Sequence, residues 1–391
     1  MAGAARTAGP GQATNAGAMA PRPFITGSRE IESHTYDQSQ TMTAGGGQVF
    51  PSYDFVTDGY VSGLYIYVTG TVPSNNSAAV AYAEDGPFNA LTTVQFSDVS
   101  NRPIIGPMSG WELKECIKYG AYRVPAGSDP VNSQNYSAVT GTGATGGNFS
   151  FVLHLPIEFV HRNAMGSLTN LSNAAVFRLD VTLNGGNNVY TTSPTALPAV
   201  RIRYQQHGWM ESAGRDPFGN PAASAPPAVD SVQYWERQTY SLNSGAVNFR
   251  FTPFEGHVRN VIFVLRDSSN TRSGGETNWP DPLRLHYDAT IPVDRLKAIW
   301  QEYVQELWGY NAALGANPSL GKENGVYPLA FTRDFSVGVG AEQCFGYLYV
   351  SAGTAIRFDG SLGGSGSQTL SVLWNYVNPA GGNPLSLTGG K

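Results

Sequence analysis

The chain has 391 residues, of which 14% are charged, and a formal net charge of −5. At roughly 100–200 residues per domain this is two or three domains, each able to bury a core. The 46 glycines and 25 prolines, set against so few charges, exclude long helices with charged faces and favour an all-β chain. There is no basic block of the kind a direct nucleic-acid binder shows. Nor is there a run of about 18 apolar residues for a membrane span.

Residues 1–28 are mainly Ala, Gly, Thr and Pro, with almost no large apolar side chain before Phe24. They cannot bury enough surface to offset the entropy of ordering, so a flexible N-terminal arm is expected. It is either a passive tail or an assembly arm that orders on a neighbour or on an internal membrane. It has no apolar run of a signal peptide. From 29 to 207 the chain reads as successive strands. Leu64, Ile66 and Val68 alternate with Tyr65, Tyr67 and Thr69.

The stretch Asp85–Leu113 organises this half. Gly86-Pro87 signals a turn, and Thr92, Val94 and Phe96 then alternate with Thr93 and Gln95. Pro103 and Pro107 argue against a strand through the loop that follows. Ser109-Gly110 opens a second strand, with Trp111 as a buried anchor. Gly127–Gly147 reads as a long surface loop. Phe149, Phe151, Leu153, Leu155, Ile157 and Phe159 share one strand face. Phe177, Leu179, Val181 and Leu183 share another, as do Val200, Ile202 and Tyr204.

Residues 208–230 carry Pro217, Pro221, Pro226 and Pro227 and read as a linker between domains. Strands then resume with Val247, Phe249 and Phe251, and Val261–Leu265 reads as a central strand. Leu283 to Ile291 alternates until Pro292 stops it. A helix is expected over 293–308, with Leu296, Ile299, Tyr303 and Leu307 on its core face and Trp300 and Trp308 beside it. Strands follow at Gly325-Val326-Tyr327, Phe345–Val350 and Leu370–Val377. Residues 379–391 form a C-terminal tail.

Signs of chemistry are few. Gly141-Thr142-Gly143-Ala144-Thr145-Gly146 fits a dinucleotide-binding pattern in form, but a polar loop precedes it and a strand follows, so a flexible loop is expected. The six histidines form no metal pair at helical spacing, and His154 and His286 fall on polar strand faces. Glu112 and Glu115, read as lying on a strand, point to opposite faces and do not converge as an acid/base pair. Cys116 and Cys344 sit one in each half and suggest free buried thiols. No catalytic, cofactor-binding or metal-binding residue is assigned. The expectation is a protein that is not an enzyme, has no cofactor and takes no small-molecule substrate.

The Asp, Gly-Pro, Asn and apolar strand of 85–96, followed by Ser109-Gly110-Trp111-Glu112-Leu113, resemble the first jelly roll of tectivirus major capsid proteins. A weak echo between the halves supports this. Leu155-Pro156-Ile157 with a short helical stretch near Met165–Leu171 matches Thr290-Ile291-Pro292 with the later helix and Gly325-Val326-Tyr327. The resemblance implies an all-β double jelly roll of two tandem eight-stranded units, with one short helix in the second. Its bounds are an arm over 1–28, a first roll over 29–207, a linker over 208–230, a second roll over 231–378 and a tail over 379–391.

It also implies a virion shell protein, made in the host cytoplasm, that forms homotrimers with a pseudo-hexagonal outline. Its partners would be neighbouring trimers, vertex (penton) and minor capsid proteins, and an internal membrane reached by the arm. The competing readings are a carbohydrate- or receptor-binding β-sandwich, such as a spike protein, and a secreted glycosidase.

Overall fold

The computed structural model describes residues 20–120, 122, 130–158, 164–272, 279–309, 323–331 and 346–380. The first half contributes β1 (Glu30–Thr41), β2 (Gln48–Val49), β3 (Tyr53–Asp54), β4 (Tyr60–Thr71), β5 (Asn76–Tyr82), β6 (Leu91–Ser97) and β7 (Pro103–Met108). Helix α1 (Gly110–Tyr119) follows, then β8 (Ser137–Ala138), β9 (Gly141–Gly143), β10 (Phe149–Pro156), β11 (Leu168–Thr169) and β12 (Arg178–Leu183). The half ends with the one-turn α2 (Gly186–Val189), β13 (Tyr190–Thr192) and β14 (Ala199–Trp209). The second half holds β15 (Val232–Arg250), β16 (Gly256–Arg266), β17 (Leu283–Tyr287), β18 (Thr290–Arg295), α3 (Lys297–Trp308), β19 (Val326–Ala330), β20 (Leu348–Val350) and β21 (Ile356–Asn378).

Alternation of apolar side chains sets which way each strand faces. On β4 and β10, Leu64 lies opposite Leu155, Ile66 opposite Leu153 and Val68 opposite Phe151. All six are buried, so a slip of one residue would turn the whole set to solvent. One sheet of the first half runs β1-β14-β4-β10; the other runs from β2 and β3 through β12 and β6 to β7. These pairings are those of one long antiparallel hairpin folded over on itself, the jelly-roll winding.

The second half shows that winding more directly. Val232–Asn243 of β15 pairs with Ser367–Asn378 of β21, and Gly245–Arg250 pairs with Arg357–Leu362. Residues 363–366 are skipped at the corner. Gly245, Gly364 and Gly366 there hold φ of 110°, 89° and 78°. Side chains with a Cβ avoid such angles, so glycine lets both strands bend from one sheet into the other. On one side of the bend β16 and then β19 extend the sheet; on the other, β17 and β18 do. Each sheet is therefore four strands wide, with β19 and β20 following one another along the same edge of β16. The sheets of the two rolls meet where β7 and β15 run parallel at Ile105 and Trp235. The buried apolar side chains form one continuous network through both.

Several expectations are corrected. Ser109–Leu113 opens a helix, not a strand, so each roll carries a helix at the same point of its winding: α1 between β7 and β10, α3 between β18 and β19. No helix lies at Met165–Leu171, where Leu168 and Thr169 pair with β4. The two prolines do not prevent β7. Pro103 is its first residue, and β7's link to the second roll is a single bridge that demands little of Pro107. Pro292 does not stop its strand. The chain turns at Asp288, whose φ is 50°, and β18 continues past the proline to Arg295.

Residues 1–19 of the expected N-terminal arm lie outside the described residues, while Phe24–Ser28 at its end lie against the first roll. Phe24 is buried against the rings of Tyr60 and Trp209, at 5.5 and 6.3 Å. Phe159, His161, Cys344, Phe345 and residues 381–391 also lie outside the described residues.

Candidate functional site: the seam between the rolls

Helix α1 begins with a reciprocal cap. The Ser109 hydroxyl accepts the Glu112 backbone N–H at 3.1 Å, and the Glu112 carboxylate accepts the Ser109 N–H at 2.8 Å. Two orphan donors are thereby satisfied, and an acid sits at the positive end of the helix dipole. Ser109→Ala is expected to cost about 1 kcal/mol by urea denaturation. A loss of only a few tenths would mean that packing alone holds this helix end.

Every residue of α1 is buried. The second roll holds its far end. Arg259 donates to the Gly120 carbonyl at 2.6 Å, while Asn260 and Trp308 donate to the Tyr119 carbonyl at 3.2 and 3.1 Å. Carbonyls left over at a helix C-terminus need donors, and a guanidinium also complements the dipole. Tyr122 continues the contact by donating to Gln233 at 2.7 Å and accepting from the Trp235 indole at 3.0 Å.

The turn at Asp85 and the face of α1 build a buried charge cluster with β16 and with Glu323, just before β19. Asp85 lies 2.7 Å from Arg266 and 3.1 Å from Arg272. Both guanidiniums lie over the Trp111 ring, at 5.0 and 4.9 Å. Glu84 accepts the Arg272 backbone N–H at 2.7 Å. Glu323 is bound by Lys114, by Lys118 at 2.8 Å and by Arg272 at 2.7 Å. Lys114 also reaches Glu115 at 2.7 Å. At the rim, Arg237 pairs with Glu112 at 3.1 Å. The stretch from Glu84 to Lys118 thus grips the second roll, with five cations and five carboxylates interleaved.

Burial separates the two innermost carboxyls. For Glu323, burial alone would raise the pKa, but Lys114, Lys118 and Arg272 hold it well below the usual carboxylate range. For Glu115, burial and then repulsion from Glu323 outweigh Lys114 and Lys118 and push it up to about 7. A raised carboxyl pKa means that the folded state keeps its proton longer than the unfolded one. Its stabilising share is full below the unfolded value of 4.5 and is lost as pH rises through about 7. Glu115→Gln removes this loss. Between pH 5 and pH 8 the variant should therefore gain about 2–3 kcal/mol relative to the parent protein. Parallel stability curves in urea at the two pH values would refute this assignment.

The expectation that Glu112 and Glu115 diverge rested on a strand. On a helix, residues three apart share a face. The two carboxylates still do not act as a pair, because Glu112 is taken by the cap and Arg237 while Glu115 faces Lys114 and Glu323. The glycine pattern at 141–146 forms β9 and a turn, with β9 pairing to β5 and no helix after it. His154 does not face solvent: it is 5% exposed and stacked on Tyr65 at 4.7 Å. His286 pairs with Asp359 at 2.7 Å. Cys116 is buried near Met108, and burial pushes its thiol pKa up. No group of three or more His, Cys, Asp or Glu able to hold a metal occurs among the described residues.

A polar cleft of about 730 Å³ opens beside the seam, between Asn89, Asn184 and Asn188 on one side and Arg237, Arg266 and Asn270 on the other. Its lining residues include no aromatic ring, the stacking platform that sugar binding commonly uses.

Two jelly rolls in tandem, each with a helix at the same point of its winding, define a double jelly roll. Solved structures of viral capsid proteins share this fold. The major capsid protein of Sulfolobus turreted icosahedral virus matches with a TM-score of 0.57 at 12% identity, covering 89% of this chain and 96% of that one. The Faustovirus major capsid protein matches with a TM-score of 0.55 at 10% identity, covering 90% of each chain. The major capsid protein of bacteriophage PM2 matches with a TM-score of 0.51 at 9% identity, covering 89% and 98%. No protein-family model and no curated protein sequence matches the chain.

Proposed function

We propose that the protein is a structural capsid subunit, three copies of which form a pseudo-hexagonal capsomer that tiles an icosahedral shell. The observation that carries this reading is the seam. Two rolls of the same winding, with helices at corresponding points, are joined into one block through α1 and its buried charges. A three-fold arrangement of such blocks presents six similar wedges. The near-complete overlap with capsid proteins of similar length supports the same reading.

In this reading the first roll spans 29–207 and the second 231–378. Residues 208–230 join them, and residues 1–19 are an arm available to a neighbouring capsomer or an internal membrane. Vertex and minor capsid proteins complete the shell. Its location is the virion, after synthesis in the host cytoplasm. Jelly rolls leave few open strand edges, which suits a protein that must be made at high concentration without pairing sheet to sheet.

The test is light scattering on the purified full chain, followed by negative-stain microscopy. A particle of three times the 41.7 kDa subunit mass with a hexagonal outline is expected. A monomer that persists at the highest soluble concentration would overturn the reading.

A further inference from the structure

Helix α3 presents a second apolar face that the core does not use. Trp300, Val304 and Trp308 point inward, while Leu296, Ile299 and Tyr303 remain 54%, 47% and 40% exposed. The spacing of three and four residues puts these three in one stripe. Glu302 and Glu306 run beside it, exposed and without an ion-pair partner among the described residues. Contiguous apolar surface of this kind marks a contact site.

Residues 215–220 carry an exposed aromatic side chain. Phe218 is 85% exposed, and the loop beneath it is tightly held. The buried Asp216 carboxylate accepts the backbone N–H of Phe218 at 2.9 Å and of Asn220 at 2.8 Å, and pairs with Arg22 at 2.6 Å. Arg215 donates to the Gly219 carbonyl at 2.9 Å. It also has no carboxylate partner among the described residues. A loop already fixed in shape loses little entropy on binding, and an aromatic side chain on it is a good anchor.

We propose that Phe218 of one copy seats on the Leu296–Ile299–Tyr303 stripe of another, with Arg215 facing Glu302 and Glu306. The second copy is the occupant because the charges complement each other. Among the described residues Arg215 on the knob has no carboxylate partner, and Glu302 and Glu306 beside the stripe have no cation partner, the nearby Arg295 lying over the Tyr303 ring at 4.1 Å instead. The two surfaces are unlike, so the contact is head to tail, and rotation can close it into a ring. The proposal rests on the capsid reading and names the contact that holds the ring together.

The test uses the full chain with Phe218→Cys and, separately, Ile299→Cys. Both sites are exposed, so the fold is retained, and melting temperatures check this. Mixed under mild oxidation, the two variants should give a disulfide-linked pair on a non-reducing gel. Neither variant alone, nor the parent protein, should do so. In light scattering, Phe218→Ala and Arg215→Glu should each weaken association by at least about tenfold. Arg215→Glu combined with Glu302→Arg and Glu306→Arg should restore it.

An intact trimer with no mixed cross-link overturns this contact and leaves the capsid reading standing. A parent protein that never associates overturns the capsid reading itself. Two further results would assign the surfaces elsewhere and overturn the proposal. One is that Phe218→Ala abolishes sedimentation with phosphatidylglycerol vesicles while the trimer is unchanged. The other is that deletion of residues 1–19 exposes the Ile299→Cys thiol to a maleimide that the full chain excludes.

Discussion

Glu323→Ala should cost about 3–5 kcal/mol of unfolding free energy, the largest loss expected from one polar substitution in this protein. The carboxylate is bound by Lys114, Lys118 and Arg272, and all four side chains are nearly or fully removed from solvent. Removing it leaves three cations in a low-dielectric space with one fewer counter-charge. The penalty is that of an uncompensated buried charge rather than of one lost hydrogen bond. The converse also follows. Lys118→Met combined with Glu323→Leu removes one charge of each sign, and it should recover part of the loss.

The sign of the pH effect is set by the low pKa of Glu323. Its contribution is present above the unfolded value of 4.5 and is lost as pH falls through the depressed folded value. The cost of Glu323→Ala should therefore be full at pH 7 and shrink in strong acid. Urea denaturation across that range measures it. A variant within about 1 kcal/mol of the parent protein at pH 7 would show that the seam is not held by charge.

A comparable loss, about 3–5 kcal/mol, is expected from Phe263→Ala, for an unrelated reason. Phe263 lies mid-strand on β16, between β21 and β19, and is fully buried. Its ring lies 5.6 Å from Trp279, 5.9 Å from Phe358 and 6.0 Å from Trp300. Truncation forfeits the transfer energy of the ring and leaves a cavity that three large, interlocked aromatics cannot collapse to fill. Phe218→Ala is the control, since an exposed ring should change stability by no more than about 0.5 kcal/mol. The same pair of variants also reports on the seam. If it makes the rolls cooperative, Phe263→Ala lowers the melting of both rolls in one transition. Two transitions would show that the second roll melts by itself.

How far the chain could be read in advance depended on how each segment is buried. Strands with one face in the core, such as 60–71, 149–156 and 178–183, announce themselves by alternation, because one face must be apolar and the other need not be. Helix α1 does not. It is buried on every side, and its polar side, Lys114, Glu115 and Lys118, faces Glu323 of the second roll instead of water, so its charges do not mark an exposed face. The one local sign was Ser109 with Glu112 three residues on, a capping-box spacing that the bulk of Trp111 overshadowed. Helix α3 misled in another way. It has two apolar faces, and the stripe that looked like its core face turned outward while the tryptophans took the interior. Tryptophan buries more area than leucine or isoleucine, so the wider face won.

The sequence by itself determined that this is an all-β chain in two halves, because side-chain alternation and turn residues act over a few positions and need no distant partner. Tertiary structure alone decided the seam. Asp85 meets Arg266 across 181 positions and Lys114 meets Glu323 across 209, and no local pattern encodes a contact at that range. Only when both rolls close do these groups leave water together, and that shared desolvation is what gives each its partner.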